Sequence, residues 1–141
     1  MSGVIDRSQV SALMLAACPT YRPIWDDSHD INVDEDTGER LVYLDAADVT
    51  RHLVALQAAG QTATFPAVFN VIERLHVEGD DYVRELATIG YLEGLQAATS
   101  HEPEVDEADF VPYLGPESLR WWRGLLAFWN GTATTIHAVD G

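Results

Sequence analysis

One predicted helix limits the fold of this chain more than any other feature. Between Asp80 and Ala98, apolar residues fall around most of the circumference of a helix rather than on one face. They are Val83, Leu86, Ala87, Ile89, Leu92, Leu95 and Ala98. A helix that is apolar on several sides must be buried on several sides. We therefore expect a central helix around which the rest of the chain packs.

Four further segments carry apolar residues at helical spacing between capping, proline or glycine signals. They run from Asp6 to Ala17, from Asp45 to Gly60, from Thr64 to Gly79 and from Pro116 to Gly131. Phe110 to Leu114 allows one more turn, interrupted by Pro112. The pattern predicts an all-α fold of five to six antiparallel helices, as an irregular bundle or a short HEAT-like helical stack. Residues 1–131 would form a single helical domain, and residues 132–141 a flexible tail.

Two of these helices share a short pattern, apolar-apolar-Glu-x-Leu. It occurs at Val71 to Leu75 and again at Tyr91 to Leu95. Two occurrences, one in each helix, hint at an irregular helical stack but do not establish a repeat.

Residues 19–40 form the least helical stretch. They contain Pro19, Pro23 and an acidic run broken by Asp36-Thr37-Gly38, which has turn chemistry. We expect a long acidic loop after the first helix. Alternating residues on either side of the turn, at Ile31 to Val33 and Leu41 to Tyr43, would permit two short strands.

Charge restricts the classes of partner. Twenty-three Asp and Glu residues face eight Arg and no Lys, which gives a formal net charge of −15. Phosphate backbones and anionic membranes would be repelled, because binding to them depends on cationic side chains. The surface would instead attract a basic protein.

The carboxylates concentrate in two places, which we name here. The loop patch comprises Asp26, Asp27, Asp30, Asp34, Glu35, Asp36 and Glu39. The acidic segment comprises Glu102, Glu104, Asp106, Glu107 and Asp109. Both are predicted partner-binding surfaces, with Trp25 as an aromatic anchor beside the loop patch unless it folds back to seal the core. On the last helix, Trp122 and Trp129 are expected in the core, and Trp121 is expected to point elsewhere.

Signals for catalysis and for metal binding are weak. None of the five histidines pairs at metal-ligand spacing, and Cys18 alone forms neither a disulfide nor a zinc site. His76, near the end of its helix, is explained by the helix dipole. A calcium loop starting at Asp34 would need glycine at its sixth position, where Glu39 stands. We expect no enzyme activity, no cofactor and no metal site.

Glu93 is the one candidate for acid–base chemistry. A regular helical wheel places it on the same side as Leu86 and Ala97, in the most apolar helix. A buried carboxylate must be paired, hydrogen-bonded or protonated, and Arg74 is a candidate partner. A structural ion pair is the favoured interpretation, and a general acid of raised pKa is the alternative.

The chain contains no long apolar run, and its N-terminus lacks a basic region followed by an apolar one. These features predict a cytoplasmic protein.

Several motifs in the last hundred residues resemble an uncharacterised family of small bacterial helical proteins. They are Phe69-x-x-Ile72-Glu73-x-Leu75, Gly79-Asp80-x-x-Val83, Gly90-x-Leu92-Glu93-x-Leu95-Gln96, Tyr113-Leu114-Gly115-Pro116-Glu117-Ser118 and Trp122 to Trp129-x-Gly131. Members of that family look like immunity proteins of polymorphic toxin loci. The resemblance implies an all-helical fold and a protective binding role, and it supplies no catalytic residues.

The resulting hypothesis is a cytoplasmic immunity-type protein that neutralises a cognate toxin, for example a basic nuclease. An alternative is an acidic nucleic-acid mimic that blocks a DNA-binding protein. A carboxylate- or metal-dependent enzyme that uses Glu93 or the acidic loop with a divalent metal is a third hypothesis.

Overall fold

The computed structural model describes residues 3–140, so Met1, Ser2 and Gly141, which the predicted domain and tail include, lie outside the described residues. Seven α-helices make up most of the described chain. They are α1 (Arg7–Ala17), α2 (Arg22–Asp27), α3 (Val42–Ala58), α4 (Phe65–Glu78), α5 (Asp81–Glu85), α6 (Glu93–Thr99) and α7 (Pro116–Trp129). Two 3₁₀ helices cover Pro19–Tyr21 and Glu107–Tyr113, and no strand forms within residues 3–140. The all-α prediction is confirmed, as a helical bundle. The described residues contain seven α-helices rather than the expected five to six, because α2 forms in the region expected to be a loop and a π segment separates α5 from α6.

The predicted central helix is present, but it is not regular throughout. The chain from Asp81 to Thr99 is helical without a break, and Leu86–Leu92 form a π-helical segment between α5 and α6. Val83, Leu86 and Leu95 are fully buried. The π segment contacts α3, α4 and α7, so the apolar circumference is covered from several sides, as expected.

The start of α7 is fixed by a side chain from α4. Gly115 precedes α7 and offers no side chain that could cap it. Glu73 takes over that role, because its carboxylate accepts hydrogen bonds from the backbone N–H groups of Glu117 at 3.0 Å and Ser118 at 2.8 Å. A carboxylate at a helix N-terminus also interacts favourably with the helix dipole.

His76 joins α4, α7 and the π segment in the interior. Its Nδ1 donates to the carbonyl of Ile72, which can only accept, so Nε2 accepts a hydrogen bond from the hydroxyl of Thr88 at 3.0 Å. Ser118 Oγ lies 3.0 Å from the same Nδ1. Burial lowers the pKa of His76 to about 4, so the ring is neutral at pH 7. The sequence-based account, a protonated imidazole at the helix end, is wrong because the ring points inward.

The region from Pro19 to Arg40 is more helical than the sequence suggested. Pro23 stands in the first turn of α2, where its missing N–H costs no hydrogen bond, so it begins a helix rather than breaking one. The turn at residues 36–38 is present, with Gly38 at a φ of 72° and Asp34 Oδ1 accepting from the N–H of Asp36. The two permitted strands reduce to one isolated bridge between Val33 and Arg40.

Helix α3 begins at Val42, three residues before its predicted start at Asp45. Asp45 does not cap the helix; it is buried in its first turn. Its carboxylate receives two hydrogen bonds of 2.9 Å from the Arg40 guanidinium and one from the amide of Asn32. This bidentate pair holds the loop against α3, so the ion pair and not a cap explains the residue.

Residues 132–140, expected as a flexible tail, run back along α7. Val139 N–H donates to the carbonyl of Arg120 at 2.9 Å, and Arg120 also pairs with Asp140. Gly124 makes this approach feasible, because a Cβ at this position would lie 1.7 Å from the His137 carbonyl oxygen. Within residues 3–140, no helix combines the length and apolarity that a membrane crossing demands.

The buried neutral His76 predicts a loss of stability in acid. Between its folded pKa of about 4 and its ordinary value of 6.5, the unfolded chain binds more protons than the native one. Its contribution is therefore complete above pH 6.5 and declines as the pH falls towards 4, by about 3 kcal/mol at most. Urea unfolding of wild type and His76→Gln across this range isolates the effect, since the contributions of the carboxylates cancel in the difference. A difference in unfolding free energy that does not change with pH would contradict it.

Substitution Gly124→Ala should detach the tail while leaving α7 intact. The new methyl group cannot share space with the His137 carbonyl, whereas alanine in a helix interior is favoured over glycine by about 1 kcal/mol. Hydrogen exchange followed residue by residue should show faster exchange at Val139 and unchanged exchange within α7. Unchanged protection at Val139 would show that the tail is not held by this contact.

Candidate partner-binding groove

Trp25, the predicted aromatic anchor, is already occupied by the chain itself. The Arg40 guanidinium lies 4.5 Å from the centre of its ring and that of Arg22 lies 5.5 Å away. The ring is half-buried and packs against the core, and its Nε1 has no hydrogen-bond partner among the described residues. Trp25 therefore follows the alternative in which it seals the core.

The loop patch is spread over α2 and the following turn, next to α1 and α3. Several of its carboxylates have partners within the chain: Asp26 pairs with Arg22, Glu39 pairs with Arg7, and Asp34 accepts backbone hydrogen bonds in the turn. Its remaining residues are exposed to solvent: Asp27, Asp30, Glu35 and Asp36. The loop patch is thus partly neutralised by arginines of the same chain.

The acidic segment lies elsewhere, between α6 and α7. Asp106 caps the 3₁₀ helix by accepting from the N–H of Ala108, and Asp109 accepts from the N–H of Asp106 in return. Glu104 is exposed, and Glu102 and Glu107 are half-buried. Within residues 3–140, no salt bridge involves any carboxylate of this segment. The 3₁₀ helix contacts α4 and α6, which places these charges next to the C-terminal half of the central helix.

The prediction that Trp129 lies in the core is wrong, and Trp129 rather than Trp25 is the exposed tryptophan. Along the apolar stripe of α7, Trp122 is 1% exposed and Leu125 is fully buried, Leu126 is half-buried, and Trp129 is 61% exposed. The stripe therefore extends beyond the core by one turn. The signal available in the sequence was that Trp129 stands two residues before Gly131, at the very end of the helix.

Glu93 is displaced from its expected position by the π segment. Its backbone N–H donates to the carbonyl of Thr88, five residues earlier, instead of four. One extra residue in a turn rotates everything after it by about 100°, so a regular wheel no longer applies. Leu86 is accordingly buried while Ala97 is exposed. The expected partner is also absent, because Arg74 pairs with Glu78 at 3.0 Å.

These residues meet in one groove at the junction of α6, α7 and the acidic segment. The groove has a volume of about 480 Å³ and brings together two carboxylates, two amides, an aliphatic side chain and the exposed indole. We call it the Trp129 groove, after its members Glu93, Gln96, Glu107, Leu126, Trp129 and Asn130. No arginine or lysine lines it.

Gln96 is the least satisfied polar group in the groove. The residue is 9% exposed, and its Nε2 has no hydrogen-bond partner within residues 3–140. An unpaired buried amide costs about 1–3 kcal/mol, and most buried polar groups in proteins are paired. The Nε2 atom is itself closed to solvent, so an incoming polar group would remove that cost only if the amide rotated towards the groove.

The two carboxylates of the groove are also unfavourable for the free protein. Desolvation raises the pKa of Glu93, and desolvation together with the nearby charge of Asp106 raises the pKa of Glu107. Neither carboxylate takes part in a salt bridge within the described chain. A cation that entered the groove would stabilise both ionised forms.

Ser118 and Cys18, two nucleophilic side chains of the interior, are both inaccessible. Ser118 lies beside His76 but is fully buried, so a substrate has no access to its hydroxyl. Cys18 is buried as well. Within residues 3–140, no group of three or more His, Cys, Asp or Glu side chains is placed to hold a metal ion.

Together these features define an all-helical protein whose candidate site is an acidic groove with one exposed tryptophan. Residues 11–130 match a family model described as a domain of unknown function, DUF7674, and the chain belongs to that family. No curated protein and no solved structure matches the chain.

Glu73 and Glu93 hold the same position in the two apolar-apolar-Glu-x-Leu patterns, but the same substitution should change the free energy of unfolding differently at each. Glu73→Gln removes a charged acceptor from two N–H groups and should lower the unfolding free energy by about 1–2 kcal/mol. Glu93→Gln removes a charge whose raised pKa shows that the fold opposes it, and should leave that free energy unchanged or increase it at pH 7. Urea unfolding of the two variants measures both. A loss of stability in Glu93→Gln as large as that in Glu73→Gln would mean that Glu93 is structural.

Proposed function

We propose that this protein binds and neutralises a cognate toxin with a basic surface, as immunity proteins do, and that it docks through the acidic segment and the Trp129 groove. The motif resemblance supports the class of partner. The charge distribution supports the chemistry of the interface.

The observation that carries the proposal is where the arginines are. The chain has eight, and six pair with carboxylates of the chain itself: Arg7, Arg22, Arg40, Arg51, Arg74 and Arg120. None of these pairs reaches the acidic segment or Glu93. Within residues 3–140 the acidic segment and Glu93 therefore carry no arginine pair, and Glu93 and Glu107 lie in the same groove as the exposed Trp129.

Such a surface acts without chemistry. Uncompensated carboxylates steer a basic protein into encounter and raise its association rate, while a desolvated aromatic side chain near the centre of the contact slows dissociation. A nuclease domain suits this arrangement, because it binds the phosphate backbone of a nucleic acid through a basic surface, and the carboxylates would cover that surface. Inhibition would follow from occlusion of that surface.

The loop patch is less suited to the same task. Arg22 and Arg40 already occupy Trp25, and Arg7 and Arg22 neutralise two of its carboxylates. A partner would have to displace these internal contacts before it could bind there. Contributions of the loop patch to long-range steering remain, since its exposed carboxylates add to the net charge.

Two double variants that remove the same amount of charge test which surface docks the partner. Glu102→Gln with Glu104→Gln removes two charges of the acidic segment outside the groove, and Asp27→Asn with Asp30→Asn removes two charges of the loop patch. The partner to be tested is the product of the adjacent gene, co-expressed and purified with this protein. We expect the first variant to slow association about 3- to 10-fold at low ionic strength and the second by less than about twofold, because rim charges act mainly on the association rate.

The salt dependence and a growth assay complete the test. The difference between the variants should disappear near 0.5 M salt, where the Debye length falls to about 4 Å. Wild type should restore growth of cells that express the toxin. Absence of a complex with the neighbouring product, or a larger effect of the loop-patch variant, would contradict the proposal.

A further inference from the structure

The chain contains an internal example of an arginine bound between tryptophan and carboxylate. Arg40 stacks on Trp25 at 4.5 Å from the ring centre and forms two hydrogen bonds of 2.9 Å with Asp45. Its planar guanidinium uses its face for the indole and its edge for the carboxylate. This site shows which set of groups holds an arginine in this protein.

The Trp129 groove offers the same set of groups without the arginine. Trp129 is exposed, and its ring meets Phe128 nearly at right angles, at 5.2 Å between centroids. Within the part of the chain that the structure describes, no guanidinium stacks on it. Glu93 and Glu107 lie in the same groove and have no cationic partner.

Gln96 is an independent observation that points to a ligand. The side chain is nine-tenths buried, lines the groove, and keeps an Nε2 donor without a partner within residues 3–140. This nitrogen is itself closed to solvent, so the amide must rotate before it can donate into the groove. Cationic side chains bring donors only, so this donor requires an acceptor. A peptide supplies a cationic donor and an acceptor together, since each residue carries a backbone carbonyl next to its side chain.

We propose that the Trp129 groove binds an arginine side chain of a partner protein, which stacks on Trp129 and donates to Glu93 and Glu107, while the Gln96 amide rotates towards the groove and donates to the adjacent peptide carbonyl. This inference rests on the proposed function for the existence of a basic partner, and it adds the residue type that anchors it. Arginine is favoured over lysine because a flat, five-donor group can stack and reach two carboxylates at once, whereas an ammonium is a compact point charge. A volume of about 480 Å³ accommodates one such side chain with its backbone.

The first test uses three peptides that differ at one position: acetyl-Gly-Ser-X-Ser-Gly-amide with arginine, lysine or citrulline as X. Citrulline keeps the planar shape of arginine and removes its charge. Titrations at low ionic strength, followed by the indole N–H resonance of Trp129, should give an arginine peptide that binds at least tenfold more tightly than citrulline and about threefold more tightly than lysine. Equal binding of arginine and citrulline, or no shift at Trp129, overturns the inference.

The second test uses variants of the groove. Trp129→Ala and Glu107→Gln should each weaken binding of the arginine peptide at least fivefold, while Glu104→Gln, a charge outside the groove, should change it less than twofold. Trp129 is exposed, so its removal should leave the urea unfolding midpoint near that of wild type, and Glu107→Gln provides an isosteric second variant. If all three variants bind alike, the groove is not the arginine site.

The same variants in the complex with the adjacent gene product separate this inference from the proposed function. A complex that forms, responds to the acidic-segment variant and ignores Trp129→Ala would leave the proposed function standing and overturn the arginine anchor. A Trp129→Ala variant that dissociates at least tenfold faster supports both. No complex with wild type, together with specific binding of the arginine peptide, would overturn the toxin partner and keep the groove as an arginine site.

Discussion

The position of α7 depends on a carboxylate that belongs to another helix. Glu73 of α4 caps the first turn of α7 because Gly115 provides no cap, and a Cβ at Gly115 would lie within 2.6 Å of the Glu73 side chain. One turn further along α4, His76 meets Ser118 of α7 and Thr88 of the π segment. This polar contact joins α4, α7 and the π segment in the interior, and Trp129 lies at the far end of the same α7.

Two identical local patterns have opposite outcomes because of what surrounds them. Glu73 faces the open N-terminus of α7, where two unpaired N–H groups need an acceptor. Glu93 follows a π segment that turns it away from the buried face of its own helix, into a groove where no arginine or lysine lies beside it. In both cases the local sequence specifies a helix. Whether the carboxylate stabilises or destabilises the fold depends on the elements packed next to it.

The same contrast separates the elements that the sequence could predict from those that it could not. Apolar periodicity and capping residues predicted α1, α3, α4, α7 and the burial of the central helix, since these depend on nearby residues. The π segment escaped prediction because its hydrogen-bond register depends on close packing: a Cβ at Gly90 would lie 2.8 Å from Leu86 and 3.2 Å from Ala46. The position of the tail along α7 was not predicted, because Gly124 is its only signal in the sequence. Glycine also occurs inside helices that no other segment approaches closely.

For the candidate groove, the sequence indicated the acidic residues but not the tryptophan that lies beside them. Composition identified uncompensated acidic surface, and the acidic segment was among the predicted binding residues. The aromatic anchor was assigned to Trp25 because it stands beside aspartates in the sequence, whereas in space two arginines cover it. Conversely, Trp129 fits an apolar stripe whose last turn has nothing to pack against, and helical spacing alone does not reveal where a core ends.

Net charge and the groove make separate contributions to the proposed binding. A charge of −15 accelerates encounter with any basic protein and carries little information about which one. Selectivity requires groups that are unfavourable until the correct partner satisfies them, and Glu93, Glu107 and Gln96 meet that condition in the free chain. A lysine-rich or poorly shaped partner would be steered to the surface but would leave these groups unsatisfied. The stability lost by keeping them unpaired is therefore the physical basis on which this protein could distinguish one basic partner from another.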